Sequence, residues 1–504
     1  MKDKAMASTW IVLTFSLLWV NVCVSCWPSQ PFQSRTPKIK VRPDGHFVDP
    51  QGRVRMFHGF NKVEKGFPWY PASLLNETRL KLYEDWGFNA VRLGTMWAGA
   101  YPAKDQVNQT YMNTLGEIID KLGNHGMYSI LDMHQDVLTS KYKAYDGVPL
   151  WLIDMFPEPK HSYPWPLPSI SQWAEGYLTE AVSSAFGCLY NNTNGALNYY
   201  TDFWKTVARQ YMNKDSVLAY ELMNEPWAGD IYEDPTLILP GRAGFKNLLP
   251  MWDWLADGIR KVDENTIIMY EPVTWAIYLH TEGFGTGFGH VPGGYTYKDR
   301  SALSYHYYCQ ILSPGDDHKP YPHWKQLVCD EVLLEQMFQV IKESINDTGG
   351  GGFLTEFGQD TPDSSANHTS TEEMSTVLDH ADKNLQSWTY WDSQFFWPNG
   401  TVDYNVVKLF SRTYAQAIAG TPTFQKFDFL TGDYTFEYMH DPTINAPTEL
   451  YVPTLHYPIG FNVTLTPGLK WSYEAKVQRM LITLHSNDII DGPMVPVSLK
   501  IKAK

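Results

Sequence analysis

Short apolar runs alternate with amphipathic stretches along most of the chain. Between residues 54 and 395, eight runs are rich in β-branched and aromatic residues, a composition that is typical of β-strands. They span residues 54–61, 89–97, 128–134, 218–226, 266–272, 302–309, 351–358 and 387–395. Stretches with helical periodicity lie between them, for example residues 72–87, 111–126, 196–213 and 249–264. Strands that alternate with helices eight times predict an α/β fold, the (β/α)₈ TIM barrel.

A doubly wound open sheet is the competing architecture for such an alternation. It would require a G-x-G-x-x-G motif between an early strand and the following helix. The glycine-rich run GFGTGFG at residues 283–289 has a different spacing. We therefore interpret this run as a loop and favour the barrel.

The pattern changes at both ends of the barrel region. Residues 39–57 alternate around two turn signals, Pro-Asp-Gly and Asp-Pro-Gln-Gly, which predict a short hairpin. From residue 421 onward, threonine- and tyrosine-rich runs alternate in polarity, with Pro and Gly between them, which predicts a small antiparallel β-sandwich. We thus expect a TIM-barrel catalytic domain over residues 27–420 and a β-sandwich domain over residues 421–504.

The N-terminal segment has the features of a secretory signal peptide. Lys2 and Lys4 precede an apolar run at residues 10–24, which is shorter than the about 20 apolar residues that span a bilayer. We expect a signal peptide over residues 1–26 and delivery to the extracellular space or to a digestive or lysosomal lumen; a single signal-anchor helix is the alternative. N-x-S/T sequons fit passage along this route. They begin at Asn76, Asn108, Asn191, Asn346, Asn367, Asn399 and Asn462.

Three cysteines follow the predicted signal peptide: Cys188, Cys309 and Cys329. In an oxidising compartment they can form disulfides. Cys309 and Cys329 bracket a single loop, so we predict a disulfide between them. Free buried thiols are the alternative.

Composition excludes several classes of protein. The net charge of −15 argues against binding to nucleic acid, whose phosphates require a basic surface. The H-E-x-x-H and G-x-S-x-G motifs are missing, so we expect neither a catalytic metal nor a serine esterase. Aromatic residues make up 15% of the chain and can stack on sugar rings or pack within loops and core. We expect a monomer that needs no cofactor.

Chemically active residues occupy the ends of most predicted strands. They are Asn61, Trp97, His134, Glu225, Glu271, His306, Glu356 and Trp391. Catalytic residues of a TIM barrel come from the carboxyl ends of its strands. Glu225 and Glu356 lie at the ends of the fourth and seventh strands, where an unpaired buried charge is costly. A salt bridge would explain either glutamate alone, whereas the pair matches a retaining glycosidase, whose two carboxyl groups lie about 5–5.5 Å apart.

The motifs around these glutamates resemble those of glycoside hydrolase family 5. They are Asn-Glu-Pro at residues 224–226 and Thr-Glu-Phe-Gly at residues 355–358. The segments HGFNKVEKG (58–66), LDMHQD (131–136) and PTELYVP (447–453) are similar to the endoglycoceramidase branch of that family. The resemblance spans nearly the whole mature chain. It implies hydrolysis of the β-glucosyl bond between an oligosaccharide and ceramide, with net retention.

The resemblance also implies roles for individual residues. Glu225 would be the acid/base and Glu356 the nucleophile, a division that requires a raised pKa only at the acid. Asn224 would bind the sugar 2-hydroxyl, although an asparagine here could simply cap the following turn. Arg92 would hold the nucleophile ionised through its guanidinium fork, although a purely structural ion pair is a competing explanation.

Other residues are assigned to the sugar-binding site by the same resemblance. His134 and Asp136 would form a cluster on the third strand with Gln135, and His306 and Tyr308 would form the H-x-Y motif of the sixth strand. Tyr308 would donate to Glu356. The remaining members would be the platform Trp391 and the hydroxyl-binding lysines Lys62 and Lys65. Such residues can equally be satisfied core groups or, for the lysines, solvated surface groups.

The substrate would require a polar cleft for the glycan and an apolar rim for the lipid. The aromatic loops at residues 67–71 and 148–156 could supply that rim or merely pack among themselves. We assign Asp132 and Glu271 no catalytic role and expect them to fix neighbouring donors. The alternative functions are a β-glucosidase or endoglucanase acting on another aglycone, and a carbohydrate-binding relative without turnover.

Overall fold

The computed structural model describes residues 35–142, 147–278, 285–313, 315–360, 362–484 and 493–504. The predicted signal peptide lies outside the described residues, as does part of the glycine-rich run that we interpret as a loop. Near the start of the described chain, three short antiparallel strands confirm the predicted hairpin pattern. They are β1 (Lys40–Val41), β2 (Phe47–Val48) and β3 (Val54–Arg55).

Within the described residues, eight parallel strands close into a barrel. They are β4 (His58–Lys62), β5 (Ala90–Gly94), β6 (Tyr128–Asp132), β7 (Val217–Glu221), β8 (Ile267–Tyr270), β9 (Ser301–Tyr307), β10 (Gly351–Phe357) and β11 (Ser387–Tyr390). Each strand pairs with the next along the chain, and β11 closes the barrel on β4, where Trp388 lies opposite His58. The predicted TIM barrel is confirmed, with one barrel strand in each predicted run.

The first predicted run, residues 54–61, contains two strands rather than one. Met56 packs in the core of the C-terminal module, whereas Phe57 packs inside the amino-terminal end of the barrel. Asn89 holds the chain between them, because its side chain accepts from His58 N and donates to Met56 O, both at 2.9 Å. The apolar pattern alone could not separate the strands, since both cores take apolar residues.

Helices connect the barrel strands and cover the outside of the barrel. The α-helices are α1 (Glu77–Asp85), α2 (Trp97–Ala100), α3 (Gln109–Asn124), α4 (Leu150–Ile153), α5 (Glu180–Tyr190), α6 (Ala196–Tyr211), α7 (Leu249–Arg260), α8 (His323–Gln326), α9 (Glu335–Thr348), α10 (Thr369–Lys383) and α11 (Tyr404–Phe410). Turns of π-helix cover Gly244–Leu248 and Leu327–Leu334. Turns of 3₁₀-helix cover Ala72–Leu75, Ser140–Tyr142, Trp173–Leu178, Thr193–Gly195, Pro235–Ile238, Thr274–Tyr278 and Tyr295–Arg300. The four predicted helical stretches correspond to α1, α3, α6 and α7.

The two ends of the barrel differ in chemistry. At the amino-terminal ends of the strands, Phe47 from the hairpin packs edge-on against Phe57, and Phe57 against Tyr128, with ring centroids 5.7 and 5.3 Å apart. These rings belong to a buried apolar cluster that fills this end. The polar side chains predicted to be functional therefore lie towards the carboxyl ends, as is usual for a TIM barrel.

The C-terminal module consists of antiparallel strands. They are β12 (Tyr414–Ile418), β13 (Gly420–Phe427), β14 (Tyr434–His440), β15 (Thr448–Tyr451), β16 (Phe461–Leu465), β17 (Leu469–Glu474), β18 (Arg479–Leu484) and β19 (Val495–Ala503). Among the described residues, one sheet has the order β1-β2-β3-β12-β15-β18-β17 and the other β13-β14-β19-β16, and one apolar cluster draws on both. The predicted domain boundary at residue 421 stays a prediction; the first sheet also includes β12 and the N-terminal β1–β3.

The module packs closely against the loop between α1 and β5. Tyr451 OH donates to Asp85 O and Tyr414 OH to Gly87 O, each at 2.7 Å. Gly87 has a φ of +81°, and a Cβ there would lie 2.3 Å from the Tyr451 ring, so only glycine fits this contact. The module thereby fixes the chain just before β5, the strand that carries Arg92.

The predicted disulfide between Cys309 and Cys329 is present, with the two Cα atoms 5.6 Å apart. It ties the end of β9 to the π-helical turn Leu327–Leu334. Cys188 is a half-buried thiol. Among the described helices, none is both long and apolar enough to cross a bilayer.

Candidate active site

Two carboxyl groups face each other at the carboxyl ends of the barrel strands. Glu225 follows the end of β7, and Glu356 lies near the end of β10. An oxygen of each carboxyl lies within 4.8 Å of the other. The side chain of Glu225 is 18% exposed and that of Glu356 is 8% exposed. Both groups can therefore be reached from the mouth of the barrel while most of their surface is enclosed.

The backbone at Glu225 is held in an unusual conformation. Its φ of +41° lies in the left-handed region, which costs free energy for a residue with a side chain. Gln135 Nε2 donates to Asn224 O at 2.7 Å and to Glu225 O at 2.9 Å. Glu225 N donates to Glu271 Oε2 at 2.9 Å. These contacts, from the loop after β6 and from the residue after β8, hold the strained backbone and set the direction of the carboxyl group.

The environment of Glu225 favours its protonated form. Burial, with a further contribution from the negative charge of Asp136, raises the pKa of Glu225 to about 7. His306 Nδ1 lies 3.0 Å from Glu225 Oε1, and burial lowers the pKa of His306 to about 4, so the ring is neutral. Glu225 can thus hold a proton near neutral pH, as a general acid must.

Both carboxyl oxygens of Glu356 accept hydrogen bonds. Arg92 Nη1 donates to Glu356 Oε2 at 2.9 Å, and Tyr308 OH donates to Glu356 Oε1 at 2.7 Å. Each carboxylate oxygen therefore receives a hydrogen bond, which stabilises a negative charge. The predicted contact from Tyr308 is present, whereas Arg92 uses one nitrogen on Glu356 rather than both.

Arg92 is fully buried and contacts several strands at once. Besides Glu356 it binds Glu221 through Nε, Asp132 at 3.1 Å, Asn224 Oδ1 at 2.9 Å and Asn61 Oδ1 at 3.1 Å. Burial lowers the pKa of Arg92, but the surrounding carboxylates, led by Asp132, outweigh this effect and raise it. The guanidinium therefore remains charged and balances the acidic groups around it.

A second charged cluster adjoins the catalytic candidates. Burial opposes a charge on His134, but the nearby Asp132 carboxylate raises the pKa of His134 to about 9. Lys65 Nζ binds Asp136 Oδ2 at 2.5 Å and lies 4.6 Å from the centre of the Trp391 ring. The His134 ring stacks parallel to Trp391 with centroids 5.4 Å apart. The structure thus brings these predicted sugar-binding residues together.

The remaining predicted residues take different positions. Lys62 Nζ donates to Ser393 Oγ at 3.1 Å, and burial lowers the pKa of Lys62. Asn224 Nδ2 donates to Gln135 O at 2.9 Å while its Oδ1 accepts from Arg92. His306 is 1% exposed, so its ring lies behind the carboxyl groups rather than open to the cleft.

Comparison with known proteins identifies the family. The family model for cellulase (glycosyl hydrolase family 5) matches residues 48–396, and the model for the glycoside hydrolase family 5 C-terminal domain matches residues 412–497. This chain belongs to glycosyl hydrolase family 5. Within that family it belongs to the endoglycoceramidase branch, as the following relatives show.

Two curated relatives of this family 5 chain are endoglycoceramidases. That of Cyanea nozakii is 35% identical, with alignment covering 92% of this chain and 94% of the relative. That of Hydra vulgaris is 33% identical and covers 86% of this chain and 84% of the relative. The solved complex of endo-glycoceramidase II from Rhodococcus sp. with ganglioside GM3 has the same fold, with a TM-score of 0.73 at 22% identity, covering 91% of this chain and 99% of that one.

Several residues of this family 5 site make contacts that were not predicted from the sequence. Glu221 binds Arg92, Gln135 holds the backbone of Asn224 and Glu225, and Asn61 contacts Arg92. Glu271, expected only to fix a donor, accepts from the main chain of Glu225. A charged residue inside an apolar strand, such as Glu221, was the available signal. Its partners lie on other strands and could not be identified from the pattern.

Three groups of side chains within the described residues have the spacing of a metal site. They are Glu225 with His306 and Glu356, Glu221 with Glu271 and His306, and Cys309 with Cys329 and Glu373. In the first two, the nearby charge of Arg92 opposes a second cation, because Arg92 already binds Glu221 and Glu356. In the third, the disulfide removes the thiolates that a metal would require.

Replacing Arg92 by methionine is expected to destabilise the fold. The change would leave Asp132, Glu221 and Glu356 without their shared cation, at a cost of about 3–5 kcal/mol. The deficit should shrink as pH falls from about 7 to about 3, because Arg92 lowers the pKa of Asp132 against the effect of burial, and the stability that this provides is present only while the carboxyl is ionised. Thermal unfolding across this range measures both effects. Arg209→Met, on the exposed face of α6, is the matched control, and equal melting temperatures for the two variants would contradict the assignment.

Proposed function

We propose that the chain is a retaining endo-β-glycosidase that hydrolyses the β-glucosyl bond between an oligosaccharide and ceramide in glycosphingolipids. The observation that carries the proposal is the short separation of the two carboxyls, since one oxygen of Glu225 lies within 4.8 Å of one oxygen of Glu356. Retaining glycosidases have carboxyl groups about 5–5.5 Å apart, whereas inverting enzymes leave about 6.5–9.5 Å for a water. The choice of lipid aglycone is supported by the named endoglycoceramidase relatives.

In the first half-reaction, Glu356 attacks the anomeric carbon of the glucosyl unit. The bond from that carbon to the ceramide oxygen breaks, and Glu225 gives its proton to this oxygen. Ceramide leaves as an alcohol, and the oligosaccharide remains as an ester of Glu356. The raised pKa of Glu225 supports this step because it keeps the proton available near neutral pH.

In the second half-reaction, a water molecule attacks the same carbon from the face that ceramide has left. Glu225, now a carboxylate, takes a proton from this water, and the ester bond to Glu356 breaks. Formation of the ester removes the charge of Glu356, which favours this ionised form of Glu225. Two inversions leave the oligosaccharide with its original β configuration, and both glutamates return to their starting states.

The neighbouring side chains are suited to hold the sugar. Asn224, next to the acid, is fixed by Arg92 and Gln135 and is proposed to bind the 2-hydroxyl, a contact that strengthens in the transition state. Trp391 is proposed to be the platform beneath the glucosyl ring. The charged groups Lys62, Lys65, His134 and Asp136 are proposed to bind hydroxyls of the glycan. His306 and Tyr308 position the two glutamates.

The experiment that tests this function compares products from a ganglioside and from simple glucosides. We expect release of intact oligosaccharide and ceramide from the ganglioside. Release of glucose alone, or activity confined to cellulose-like polymers, would instead support a β-glucosidase or an endoglucanase.

Glu356→Ala should lose activity by about 10⁴-fold or more, because the nucleophile is removed. Azide should then yield a glycosyl azide of inverted configuration, whereas unchanged activity in this variant would contradict the assignment.

The pH dependence of kcat/KM should report the acid. Because Glu225 must be protonated in the first step and burial raises its pKa to about 7, kcat/KM should fall as pH rises through about 7. Asp136→Asn removes a negative charge that raises this pKa and leaves Lys65 and His134 positive, so the falling limb should move to lower pH. If the pH profile of kcat/KM in Asp136→Asn falls at the same pH as in the wild type, a group other than Glu225 controls the fall.

We also propose that the barrel mouth contacts lipid surfaces. Apolar side chains on the loops after β4 and β7 are strongly exposed: Phe67 is 89% exposed, Phe245 65%, and Ile238 and Leu239 55% each. These loops lie on the side of the barrel that carries Glu225 and Glu356, where a lipid-linked substrate would arrive. The net charge of −15 favours zwitterionic rather than anionic membranes.

Vesicle binding tests this surface. The double variant Phe67→Ser/Phe245→Ser should bind phosphatidylcholine vesicles about tenfold or more weakly, because each phenylalanine contributes about 1.5–3 kcal/mol when buried in lipid. Hydrolysis of a water-soluble aryl glycoside should remain unchanged. Leu430→Ser is the control, since Leu430 is 73% exposed but lies on the C-terminal module. Equal binding by the double variant and the wild type in a sedimentation assay would refute the proposal.

We also propose that the protein is secreted and that it is a monomer. The predicted leader at residues 1–26 and the positions of the sequons support secretion. Most sequon asparagines are exposed, and Asn108 is half-buried. The exposed set is Asn76, Asn191, Asn346, Asn367, Asn399 and Asn462. N-linked glycans could be accommodated at these positions, in the extracellular space or in a digestive or lysosomal lumen.

A further inference from the structure

The side chain of Glu271 lies against the backbone of Glu225 and against the imidazole that faces the Glu225 carboxyl group. Glu271 follows directly after β8 and is buried. Its Oε2 accepts from the backbone N of Glu225 at 2.9 Å. Its Oε1 lies 3.5 Å from His306 Nδ1, and the same nitrogen lies 3.0 Å from Glu225 Oε1. One carboxyl from the neighbouring strand is thus connected to the main chain of Glu225 directly and to its carboxyl group through an imidazole.

The backbone contact is made at a point of strain. Glu225 adopts a φ of +41°, which a residue with a Cβ rarely occupies without support from its surroundings. Gln135 binds the carbonyl oxygens of Asn224 and Glu225, but these hydrogen bonds leave the amide N–H of Glu225 to Glu271. Loss of the Glu271 carboxyl would bury that N–H without this acceptor and release one side of the turn.

His306 lies between the carboxyl groups of Glu225 and Glu271. His306 Nδ1 faces carboxyl oxygens of Glu225, Glu271 and Glu356 at 3.0, 3.5 and 4.0 Å. The ring is buried and can hold the plane of the Glu225 carboxyl only while its own position is fixed. Burial, then the charges of Glu225 and Glu221, raise the pKa of Glu271, so this group and Glu225 disfavour each other's ionisation.

We propose that Glu271 is a positioning residue for the general acid: it holds the backbone and, through His306, the carboxyl of Glu225 at the leaving-group oxygen. The inference rests on the proposed function, because it requires Glu225 to act as the acid. It assigns to Glu271 an effect on proton transfer to the leaving group and none on the attack by Glu356, whose donors are Arg92 and Tyr308.

Leaving-group dependence distinguishes this role from a general effect on the fold. A ceramide alcohol needs a proton to leave, whereas 2,4-dinitrophenolate does not. We expect Glu271→Ala to lower kcat/KM for a ganglioside about 30-fold or more, and kcat/KM for 2,4-dinitrophenyl β-lactoside by less than about threefold, since general acid catalysis contributes about 10²–10⁴-fold. Glu271→Gln keeps an oxygen acceptor for Glu225 N and should restore most of the activity on the ganglioside. Tyr308→Phe, which removes a donor from Glu356, should lower kcat/KM for both substrates.

Each outcome decides the proposal. Equal losses on the two substrates, or no loss on the ganglioside, would overturn the role of Glu271. Glu271→Asp provides a second test if the alanine variant does not fold, because it keeps the carboxyl but withdraws it from Glu225 N, and the same selective loss is expected. Glu225→Ala is measured in parallel. If that variant lacks the leaving-group dependence, the proposed function fails; if it shows the dependence and both Glu271 variants do not, only the role of Glu271 fails.

Discussion

The buried charge of Arg92 is the interaction on which the geometry of the site depends. From β5 its guanidinium reaches Asp132 on β6, Glu221 on β7 and Glu356 on β10. Several carboxylates gathered in a barrel interior would repel one another and lose hydration, and such charges are tolerated only when paired and hydrogen-bonded. Because the partners come from different strands, Arg92 makes barrel closure and the position of the nucleophile interdependent.

The two glutamates differ in function because their neighbours differ. Glu356 receives hydrogen bonds from a permanent cation and a phenol. Glu225 instead lies beside Glu271 and a neutral His306, with the charge of Asp136 nearby. The same side-chain type thus accepts hydrogen bonds from two donors at one position and has a raised pKa at the other, and a double displacement requires two carboxyl groups in different environments.

The remainder of the molecule fixes the carboxyl ends of the barrel strands, where both glutamates lie. Aromatic packing fills the amino-terminal end of the barrel, so polar groups are confined to the carboxyl ends. The C-terminal module fixes the loop before β5 through Tyr414 and Tyr451. The disulfide at Cys309 secures the chain just after Tyr308. Loops outside these restraints carry exposed apolar residues such as Phe67, on which the proposed contact with lipid surfaces rests.

The sequence by itself determined what depends on local pattern. The period of apolar residues predicted the eight barrel strands and the main helices. Strand-end motifs indicated Glu225 and Glu356, and the resemblance to the family indicated Arg92 and Tyr308, which donate to Glu356. Tertiary structure decided what depends on partners far apart along the chain. It divided residues 54–61 between two cores, added β1–β3 to the C-terminal sheet, and placed Glu221 on Arg92 and Glu271 on Glu225. Hydrophobic periodicity shows which face of a strand is buried. Only closure of the barrel determines which side chains contact one another inside it. These contacts between strands set the charge balance of the site.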